Sequence, residues 1–583
     1  MLDLRKYLIA AVMLFGANAI AQSPVNDDPV AFLADQGFPS SSYSILLTWQ
    51  HDAPGGAVHG FHLQSLQSQS TLDLYFTEDG TPLTPADRQR LGIPEKNWNP
   101  SPRSAPLEFA LSRKVANAQP PVPATTSAGI APSALVALPE VDLATILAED
   151  EANRISGQKQ GKRIAVIHEF DTPIVVQGPS VSEGTWVTLP NGDQVWSIVV
   201  NSPGAIGQRL RLSELTLPTG ASVIVYDAFE TEESYGPYSG LHTRSDVRWT
   251  STCFSDTVVL ECVVPAGADI NDVSLQLDQS THVYVSAEEL LPKVGNCHND
   301  VTCFATWADA ASGVVGIGGV SLGCTGTLIA DENASTQVPY ILSADHCGFS
   351  SDSSAANLEF YWFYQSDSCN GTVPQLSSVP RSSGSDYLAS SNVSTGTDFV
   401  LLQLDEQPPV GVAFVGWSSE PKAVGTDTTC IHHPSGSFKR ISFAAITDVD
   451  ESSRDIRPIT RFHQASWTSG VTEPGSSGSP LFDENTQEII GQLWGGPSSC
   501  SAVGNNRLDY YGRFDVTFPL IEQFLSAFDG PEDIDANGGV NATDVQLVIN
   551  AALSIPIAFD ADVNASGDVD AVDVQLVINA ALG

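Results

Sequence analysis

The stretch Gly475-Ser476-Ser477-Gly478-Ser479-Pro480 is the segment on which the predicted fold rests. Its two glycines allow a tight turn, because glycine accepts positive φ angles that other residues avoid. Two segments earlier in the chain lie next to apolar runs, and they are Ala344-Asp345-His346-Cys347 and Thr397-Asp398-Phe399-Val400. Together the three segments supply a hydroxyl, an imidazole and a carboxylate.

These three side chains suit the attack of an activated serine on a carbonyl carbon. A serine hydroxyl is a poor nucleophile until a base removes its proton, and His346 can act as that base because imidazole titrates near neutral pH. A buried Asp398 would hold the imidazole tautomer. The backbone N–H groups of Gly475 and Ser477 would form an oxyanion hole. The sequence therefore predicts a His346–Asp398–Ser477 catalytic triad.

Each segment alone has an ordinary structural explanation. A Gly/Ser stretch is usually a turn, an Asp before a strand is usually a cap, and a core His is usually structural. The alternative function is a catalytically inactive, protease-like binding protein. An active-site serine probe separates the two functions, because only a working triad would label Ser477.

Residues 294–528 resemble the bacterial lysyl endopeptidases, a branch of the trypsin-like proteases. The matching stretches are Cys324-Thr-Gly-Thr-Leu, Ala344-Asp-His-Cys, Asp398-Phe-Val-Leu-Leu, Ile431-His-His-Pro-Ser-Gly, Val471-Thr-Glu-Pro-Gly-Ser-Ser-Gly-Ser-Pro480, Gly491-Gln-Leu-Trp-Gly-Gly-Pro-Ser-Ser-Cys500 and Tyr511-Gly-Arg. The chain order His, Asp, Ser is that of the chymotrypsin-type double β-barrel. The resemblance implies this fold and an endopeptidase that cleaves after basic residues through an acyl-enzyme, with Lys favoured over Arg.

The same resemblance implies that Asp509 forms the base of the specificity pocket. Trypsin carries its pocket acid six positions before the nucleophile, where this chain has Val471, whereas lysyl endopeptidases carry theirs before the Tyr-Gly-Arg stretch. Trp494, Gly495 and Trp467 are expected to bind substrate. Because many family members have His in place of Trp494, strict preference for Lys does not follow. Cleavage after Glu is the alternative, but an acid in the pocket would repel it.

The remainder of the chain predicts a mainly β precursor with several parts. Residues 1–21 have the charged start, apolar run and small-residue end of a signal peptide. Residues 22–161 form an N-terminal prosegment with a Pro/Ala/Ser-rich linker, and its first part, 22–115, carries no usable motif. Residues 162–293 show the short apolar runs and turns of a β-sandwich prodomain. Residues 294–529 are the protease domain.

Activation is expected to depend on removal of the prosegment. The new N-terminus of trypsin pairs with an Asp just before the nucleophile, and this chain has Ser476 there. Lys293 directly precedes Val294, so an enzyme that cuts after Lys could release itself at this bond. The released chain would contain only two lysines, Lys422 and Lys439, which is consistent with self-sparing.

Nine cysteines in an exported chain predict disulfides. Cys253 and Cys262 are close enough in sequence to join one hairpin. The resemblance implies three more bridges, which are Cys297–Cys500, Cys303–Cys369 and Cys324–Cys347. Cys430 would then remain as a buried, inert thiol.

Residues 530–583 contain a repeat, in which the segment 544–553 recurs identically as 573–582. Each copy follows an acidic loop with the EF-hand spacing of oxygen ligands around a glycine turn. The predicted Ca²⁺ ligands are Asp533, Asp535, Asn537, Asn541 and Asp544 in the first loop, and Asp562, Asn564, Ser566, Asp570 and Asp573 in the second. The loop–helix repeat resembles a dockerin, which docks onto a cohesin-type partner. The alternative is a solvated acidic tail.

The net charge of −42 argues against nucleic acid and anionic membranes as partners, because both require a basic surface. We expect a secreted, extracellular protein that acts on proteins or peptides, is tethered through its dockerin-like module, and uses no cofactor for catalysis. No later stretch is long and apolar enough to span a membrane. His432 and His433 lack acidic or thiol partners at ligand spacing and are interpreted as strand-end residues.

Overall fold

The computed structural model describes residues 32–34, 36, 38, 42–53, 56–65, 71–77, 80–84, 87–88, 103–105, 121–155, 165–238, 247–285, 294–319, 322–332, 338–447, 460–526, 532, 534, 540, 542–553, 561, 563 and 569–582. The predicted signal peptide, the processing residue Lys293 and seven of the ten predicted Ca²⁺ ligands lie outside these residues. Asp544, Asp570 and Asp573 are the three ligands within them.

The N-terminal part of the chain forms an antiparallel three-stranded unit and one further short strand. The strands are β1 (Tyr43–Ala53), β2 (Gly56–Ser65), β3 (Thr71–Thr77) and β4 (Ser104–Ala105). Phe32, Phe61 and Phe76 pack together beneath the first three strands, with Phe32 and Phe76 edge to face at 5.0 Å between ring centroids. This apolar cluster explains why the segment folds although it carries no motif.

A β-sandwich follows, as the alternating apolar runs predict. Its helices are α1 (Ala124–Ala128) and α2 (Leu143–Ile155), and its strands are β5 (Leu135–Ala137), β6 (Ala165–Gln177), β7 (Ser180–Val181), β8 (Trp186–Thr188), β9 (Gln194–Asn201), β10 (Leu210–Thr216), β11 (Ser222–Asp227), β12 (Ser234–Tyr238), β13 (Val247–Trp249), β14 (Thr257–Val264) and β15 (Ser274–Val283). One sheet has the order β13-β10-β15-β6-β7 and the other β12-β11-β14-β9-β5, with β8 on β9. Inward-facing side chains from both sheets, including Trp196, Leu212 and Leu260, form one core between them.

The predicted bridge between Cys253 and Cys262 is wrong. Both residues are buried free thiols. Cys262 lies within β14, opposite Val223 and Trp196, whereas Cys253 precedes that strand and pairs with Gln208. The two cysteines therefore lie in β14 and in the segment just before it, and they do not face each other across a hairpin.

The next region forms two further sheets. Its helices are α3 (Ala308–Gly313), α4 (Asp352–Ala355) and α5 (Phe514–Leu525), and its strands are β16 (Asn299–Asp300), β17 (Val314–Gly318), β18 (Leu322–Ile329), β19 (Tyr340–Ala344), β20 (Glu359–Tyr361), β21 (Arg381–Ser383), β22 (Ser385–Ser391), β23 (Phe399–Leu404), β24 (Trp417–Ser418), β25 (Asp427–His432), β26 (Arg440–Thr447), β27 (Phe462–Ser469), β28 (Pro480–Asp483), β29 (Ile489–Gly495) and β30 (Leu508–Arg513). Strands β17 to β23 form a half-barrel in the order β21-β20-β17-β18-β19-β23-β22. Strands β28-β25-β26-β27-β30-β29 close on themselves through the β28–β29 pairing and form the closed barrel. The predicted pair of β-barrels is thus confirmed as a half-barrel and a closed barrel.

The N-terminal segment extends both of these sheets. Strand β1 pairs with β22 at the edge of the half-barrel, and β4 pairs with β24, where Ala105 lies opposite Trp417. Arg103, beside β4, donates from Nε to Glu332 at 3.0 Å. Part of the region 22–115 therefore supplies edge strands to the protease-like domain, and such pairing removes exposed strand edges.

The sandwich contacts the half-barrel through a buried polar network. Glu359 accepts hydrogen bonds from the N–H and the hydroxyl of Thr252 at 2.7 and 2.6 Å, and Arg381 donates to the carbonyl of Thr252 at 2.8 Å. Arg248 forms an ion pair with Asp405 at 3.2 Å, and both side chains are almost fully buried. Because buried charges need partners, these pairs define how the two units fit together.

Two helices end the described chain, α6 (Ala542–Ala552) and α7 (Ala571–Leu582). They pack on each other around Val548 and Val577, both fully buried. This agrees with the helical spacing of apolar residues in each repeat. Among the described residues, no helix is both long and apolar enough to cross a membrane.

Candidate active site

His346 and Asp398 lie close together at the end of one strand of the half-barrel and the start of the neighbouring strand. His346 lies in a single 3-10 turn directly after β19, and Asp398 directly precedes β23. Ala344 of β19 is opposite Phe399 of β23, and Asp345 N–H donates to the carbonyl of Asp398 at 3.1 Å. Strand pairing therefore brings together two residues that are far apart in sequence.

The carboxylate of Asp398 holds the imidazole of His346 by two contacts. Asp398 Oδ2 lies 2.6 Å from His346 Nδ1, and Oδ1 accepts the backbone N–H of His346 at 3.2 Å. Asp398 is completely buried and has a φ of 62°, a left-handed conformation that few residues other than Gly, Asn and Asp adopt. This uncommon backbone geometry at a candidate site directs the carboxylate at the imidazole.

The electrostatics of the pair favour a basic imidazole. Burial of His346 opposes its protonation, but the hydrogen bond and charge of Asp398, with the charge of Asp345, outweigh burial and raise the pKa of His346 above its ordinary value of 6.5. Burial raises the pKa of Asp398, and the hydrogen bonds from His346 oppose that rise. A carboxylate in this position stabilises the imidazolium that forms when His346 accepts a proton.

Ser477 completes the line of contacts. Its Oγ lies 2.8 Å from His346 Nε2. Gly475 has a φ of 95°, and Thr325 fixes the turn by donating to the carbonyls of Gly475 and Ser477 at 2.9 and 2.8 Å. Among the described residues, no acceptor takes the N–H of Gly475 or of Ser477. These are the two donors expected for an oxyanion hole, which requires N–H groups that are not otherwise used.

Asp509 is completely buried beside this turn, in β30. Its Oδ2 accepts hydrogen bonds from Trp467 Nε1 at 2.6 Å, Thr472 Oγ1 at 2.6 Å and Ser498 Oγ at 2.5 Å. Its Oδ1 receives only a long contact of 3.4 Å from Ser498 N–H. Burial raises the pKa of Asp509 to about 6, and the hydrogen bonds oppose this rise. Asp509 is thus a buried carboxylate with three donors on one oxygen and a single long contact on the other.

The remaining predicted substrate residues lie on β27 and β29, the two strands that pair with β30. Trp467 in β27 donates to Asp509, as described above. Trp494 is a bulged residue of β29, half-buried, with its ring 6.1 Å from that of Tyr510. Gly495 follows it with a φ of 146°. Trp494 thus packs on the other face of this strand pair from the indole that contacts Asp509.

Several residues of the site had no signal in the sequence. Thr472 and Ser498 donate to Asp509, and Thr325 fixes the nucleophile turn. His432, at the end of β25 as expected, contacts Ser476 with its Nδ1 at 2.7 Å. Thr472, Ser498 and Thr325 do not stand out because Ser and Thr are common, and the contact of His432 with Ser476 likewise depends on spatial neighbours.

The cysteines of this domain pair as the resemblance implies. Cys297–Cys500, Cys303–Cys369 and Cys324–Cys347 are bonded, and Cys430 is a buried free thiol. The bridge at Cys347 ties the turn that carries His346 to β18. Burial raises the pKa of Cys430 to about 12, which keeps this thiol protonated and unreactive.

The predicted Ca²⁺ loops are described only where they meet their helices. Asp544 and Asp573, the last ligands predicted for each loop, are fully buried in the first turns of α6 and α7. Asp573 Oδ2 also accepts the N–H of Asp570 at 2.9 Å. Buried carboxylates with hard oxygen donors fit Ca²⁺, which selects oxygen ligands.

Family models match most of the described chain. The model "Lysyl endopeptidase, C-terminal domain" matches residues 291–512, "Lysyl endopeptidase N-terminal domain" matches 137–284, and "Dockerin type I domain" matches 531–582. These matches confirm the predicted resemblance, and the chain is an enzyme of the lysyl endopeptidase-like protease type. A dockerin type I domain is a calcium-binding module.

Individual proteins are also similar to parts of this chain. A lysyl endopeptidase of Pseudomonas aeruginosa is 27% identical over 363 residues, which cover 58% of this chain and 77% of that protein. The Rv3671c protease of M. tuberculosis is similar in structure with 19% identity and a TM-score of 0.27, covering 40% of this chain and 98% of that one. The MamO protease domain of Magnetospirillum magneticum has 11% identity and a TM-score of 0.23, covering 35% and 92%.

Proposed function

We propose that this chain is the precursor of a secreted serine endopeptidase that hydrolyses peptide bonds after basic residues, with Lys favoured over Arg. The observation that carries the proposal is the continuous line from Asp398 Oδ2 through His346 to Ser477 Oγ, with contacts of 2.6 and 2.8 Å. The N–H groups of Gly475 and Ser477 have no acceptor among the described residues, and the buried Asp509 contacts Thr472 of the same loop.

The proposed reaction is acyl transfer in two halves. Ser477 Oγ attacks the carbonyl carbon while His346 Nε2 takes its proton, and Asp398 stabilises the imidazolium. The N–H groups of Gly475 and Ser477 bind the developing oxyanion. Collapse of the intermediate breaks the C–N bond, and the leaving amine receives the proton from His346. Water, activated by the same imidazole, then hydrolyses the acyl-enzyme and restores Ser477.

Specificity is proposed to come from Asp509. Its Oδ2 is saturated by three donors, and its Oδ1 has a single long contact. A lysine ammonium supplies the positive charge and the donors that Oδ1 lacks. An acidic substrate side chain would face a second carboxylate in a buried slot, so cleavage after Glu is disfavoured.

The precursor is proposed to mature by cutting itself after Lys293, and the dockerin-like module is proposed to attach the enzyme to a cohesin-type partner outside the cell. When bound, Ca²⁺ would crosslink the acidic loops that precede α6 and α7. Asp533, Asp535, Asn537, Asn541 and Asp544 would hold one ion, and Asp562, Asn564, Ser566, Asp570 and Asp573 the other. The matched ligand spacing of the two loops, each followed by the same ten-residue segment, supports this assignment.

Two measurements on the purified chain test the proposal. A serine-directed phosphonate should label wild-type protein at Ser477, and digestion of a peptide library should yield products that end in Lys or Arg. The absence of label and of cleavage would favour the inactive binding protein. Label together with cleavage after other residues would refute the role of Asp509 alone.

A further inference from the structure

A buried hydrogen-bond chain, centred on His432, lies directly behind Ser477. His432 Nδ1 is 2.7 Å from Ser476 Oγ, and its Nε2 is 3.0 Å from Ser442 Oγ. His432, Ser476 and Ser442 have no exposed surface. Because Ser476 is the residue before Ser477, the chain ends one residue from the proposed nucleophile.

The direction of each hydrogen bond in this hydrogen-bond chain can be assigned. Ser442 Oγ–H donates to the carbonyl of Val471 at 3.1 Å, so Ser442 must accept its other bond from His432 Nε2–H. Burial holds the pKa of His432 well below its ordinary value, so the imidazole is neutral and Nδ1 can only accept. Ser476 therefore donates to Nδ1, and its oxygen accepts the N–H of Glu473 at 3.2 Å.

Both ends of this hydrogen-bond chain contact the same loop. Residues 471–477, here called the oxyanion loop, provide the carbonyl of Val471 at one end and the N–H of Glu473 at the other. Gly475, whose N–H points to the oxyanion hole in the proposed mechanism, lies within this loop. The loop has these contacts in a chain that still carries its prosegment.

We propose that His432 is a positioning residue that holds the oxyanion loop in its working conformation in the uncleaved chain, so that the precursor is competent for catalysis before any new N-terminus forms. The inference rests on the proposed function of Ser477 and Gly475. In trypsin, an Asp just before the nucleophile pairs with the new N-terminus, and in this chain the internal His432–Ser476 contact occupies that place. Competence before cleavage is what self-processing requires, so the prosegment removal expected from the sequence would admit protein substrates and would not form the oxyanion hole.

The first test replaces His432 by Leu and uses His433→Leu as its control. His433 is equally buried, but its ring contacts the carbonyl of Ser437 and stacks on Tyr364. His432→Leu should lower kcat on a lysyl amide by about 10- to 100-fold, less than the loss of an oxyanion donor itself, with KM nearly unchanged. Inhibition by a lysine-type peptide boronic acid, which binds as a tetrahedral adduct, should weaken by the same factor.

A structural role alone would give a different pattern. Equal losses in His432→Leu and His433→Leu, or a rise in KM with unchanged kcat and boronate affinity, would overturn the proposal. If His432→Leu does not fold, Ser442→Ala and Ser476→Ala retain the imidazole and test the same chain. Each should lower kcat, and the double variant should lose no more than the larger single effect, because both act through one unit. Additive losses would contradict the proposal.

The second test examines the uncleaved chain itself. A Lys293→Gln precursor, identified as the full-length band, should react with the serine-directed phosphonate at a rate within about threefold of the cleaved enzyme, and addition of His432→Leu should lower that rate at least ~10-fold. A precursor that is not labelled, while the cleaved enzyme is, would overturn the inference and leave the proposed function intact. If the cleaved wild type is not labelled either, the proposed function fails as well.

Discussion

Asp509 Oδ1 lies against the backbone of Gly496, so closely that a Cβ at position 496 would be 2.5 Å from this oxygen. The other oxygen of the carboxylate is occupied by Trp467, Thr472 and Ser498. A side chain at residue 496 would therefore collide with the one oxygen of the carboxylate that still has free acceptor capacity. A substrate ammonium group that reaches Asp509 Oδ1 would form a buried ion pair, and water screens charges little in such a place.

Replacement of Asp509 by Asn should therefore cripple cleavage after Lys. Removal of one partner of a buried charge pair costs about 3–5 kcal/mol, which corresponds to a loss of at least ~10² in kcat/KM. Steady-state kinetics on a lysyl peptide measure this loss. The rate of labelling at Ser477 is the control and should change little. A variant that cleaves Lys substrates at nearly the wild-type rate would show that the pocket acid is another residue.

Replacement of Ser477 by Ala should lower kcat by a factor of about 10⁶, because members of a triad act as a unit. The expected product is a folded, full-length chain that no serine probe labels. Peptidase assays measure the loss, and a circular dichroism spectrum equal to that of wild type is the control. Near-normal activity in the purified variant would identify a different nucleophile.

The activity should fall as the solution becomes acidic. His346 acts in its neutral form, and its pKa is raised above 6.5 by Asp398 and Asp345 in spite of burial. Asp509 acts in its charged form, and burial raises its pKa to about 6. Both groups must lose a proton, so activity is present above both pKa values and is lost as the pH falls through them. The pH profile of kcat/KM reports these groups in the free enzyme.

The Asp509→Asn variant separates the titration of Asp509 from that of His346. Its residual activity should retain the transition of His346 and lack the one at about pH 6 that belongs to Asp509. A wild-type profile that remains flat from pH 8 to pH 5 would contradict the assignment of His346 as the base.

The mature enzyme should begin at Val294. N-terminal sequencing of the active form measures this, and Lys293→Gln should block that cut while Ser477→Ala should block it by removing the nucleophile. Addition of active wild-type enzyme to the Ser477→Ala precursor is the control, since it should restore the cut in trans. A start far upstream of Val294, or within the protease domain, would refute self-processing at this bond.

The fragment 530–583 should gain helix when Ca²⁺ is added and lose it when a chelator is added, because formation of the metal site is coupled to folding. Asp544 and Asp573 are buried at the starts of α6 and α7, so a bound cation would offset the cost of burying their negative charges. Circular dichroism measures the change, and an Asp544→Ala, Asp573→Ala double variant is the control. A spectrum that is indifferent to Ca²⁺ would leave only an acidic tail.

The chemistry of the chain was readable from the sequence because it depends on residue types at short spacing. The nucleophile turn, the Asp-His-Cys segment, the repeated loops and the alternating apolar runs are all local patterns, and local patterns reflect backbone conformation and ligand spacing. The order His346, Asp398, Ser477 agreed with the barrel fold that the family resemblance implied. The pairing of six cysteines followed from the family resemblance, and the hairpin bridge expected from proximity in sequence alone was wrong.

Only the tertiary structure decided which distant residues touch. Ser476 and His432 are 44 residues apart, and Ala105 and Trp417 lie on strands that begin more than 300 residues apart. No local pattern marks such contacts, because strand pairing and barrel closure set them, and a serine or a histidine looks the same in sequence whether it is buried or exposed. The oxyanion loop and the hydrogen bonds behind Ser477 therefore form only when the closed barrel is folded and its buried polar groups must find partners.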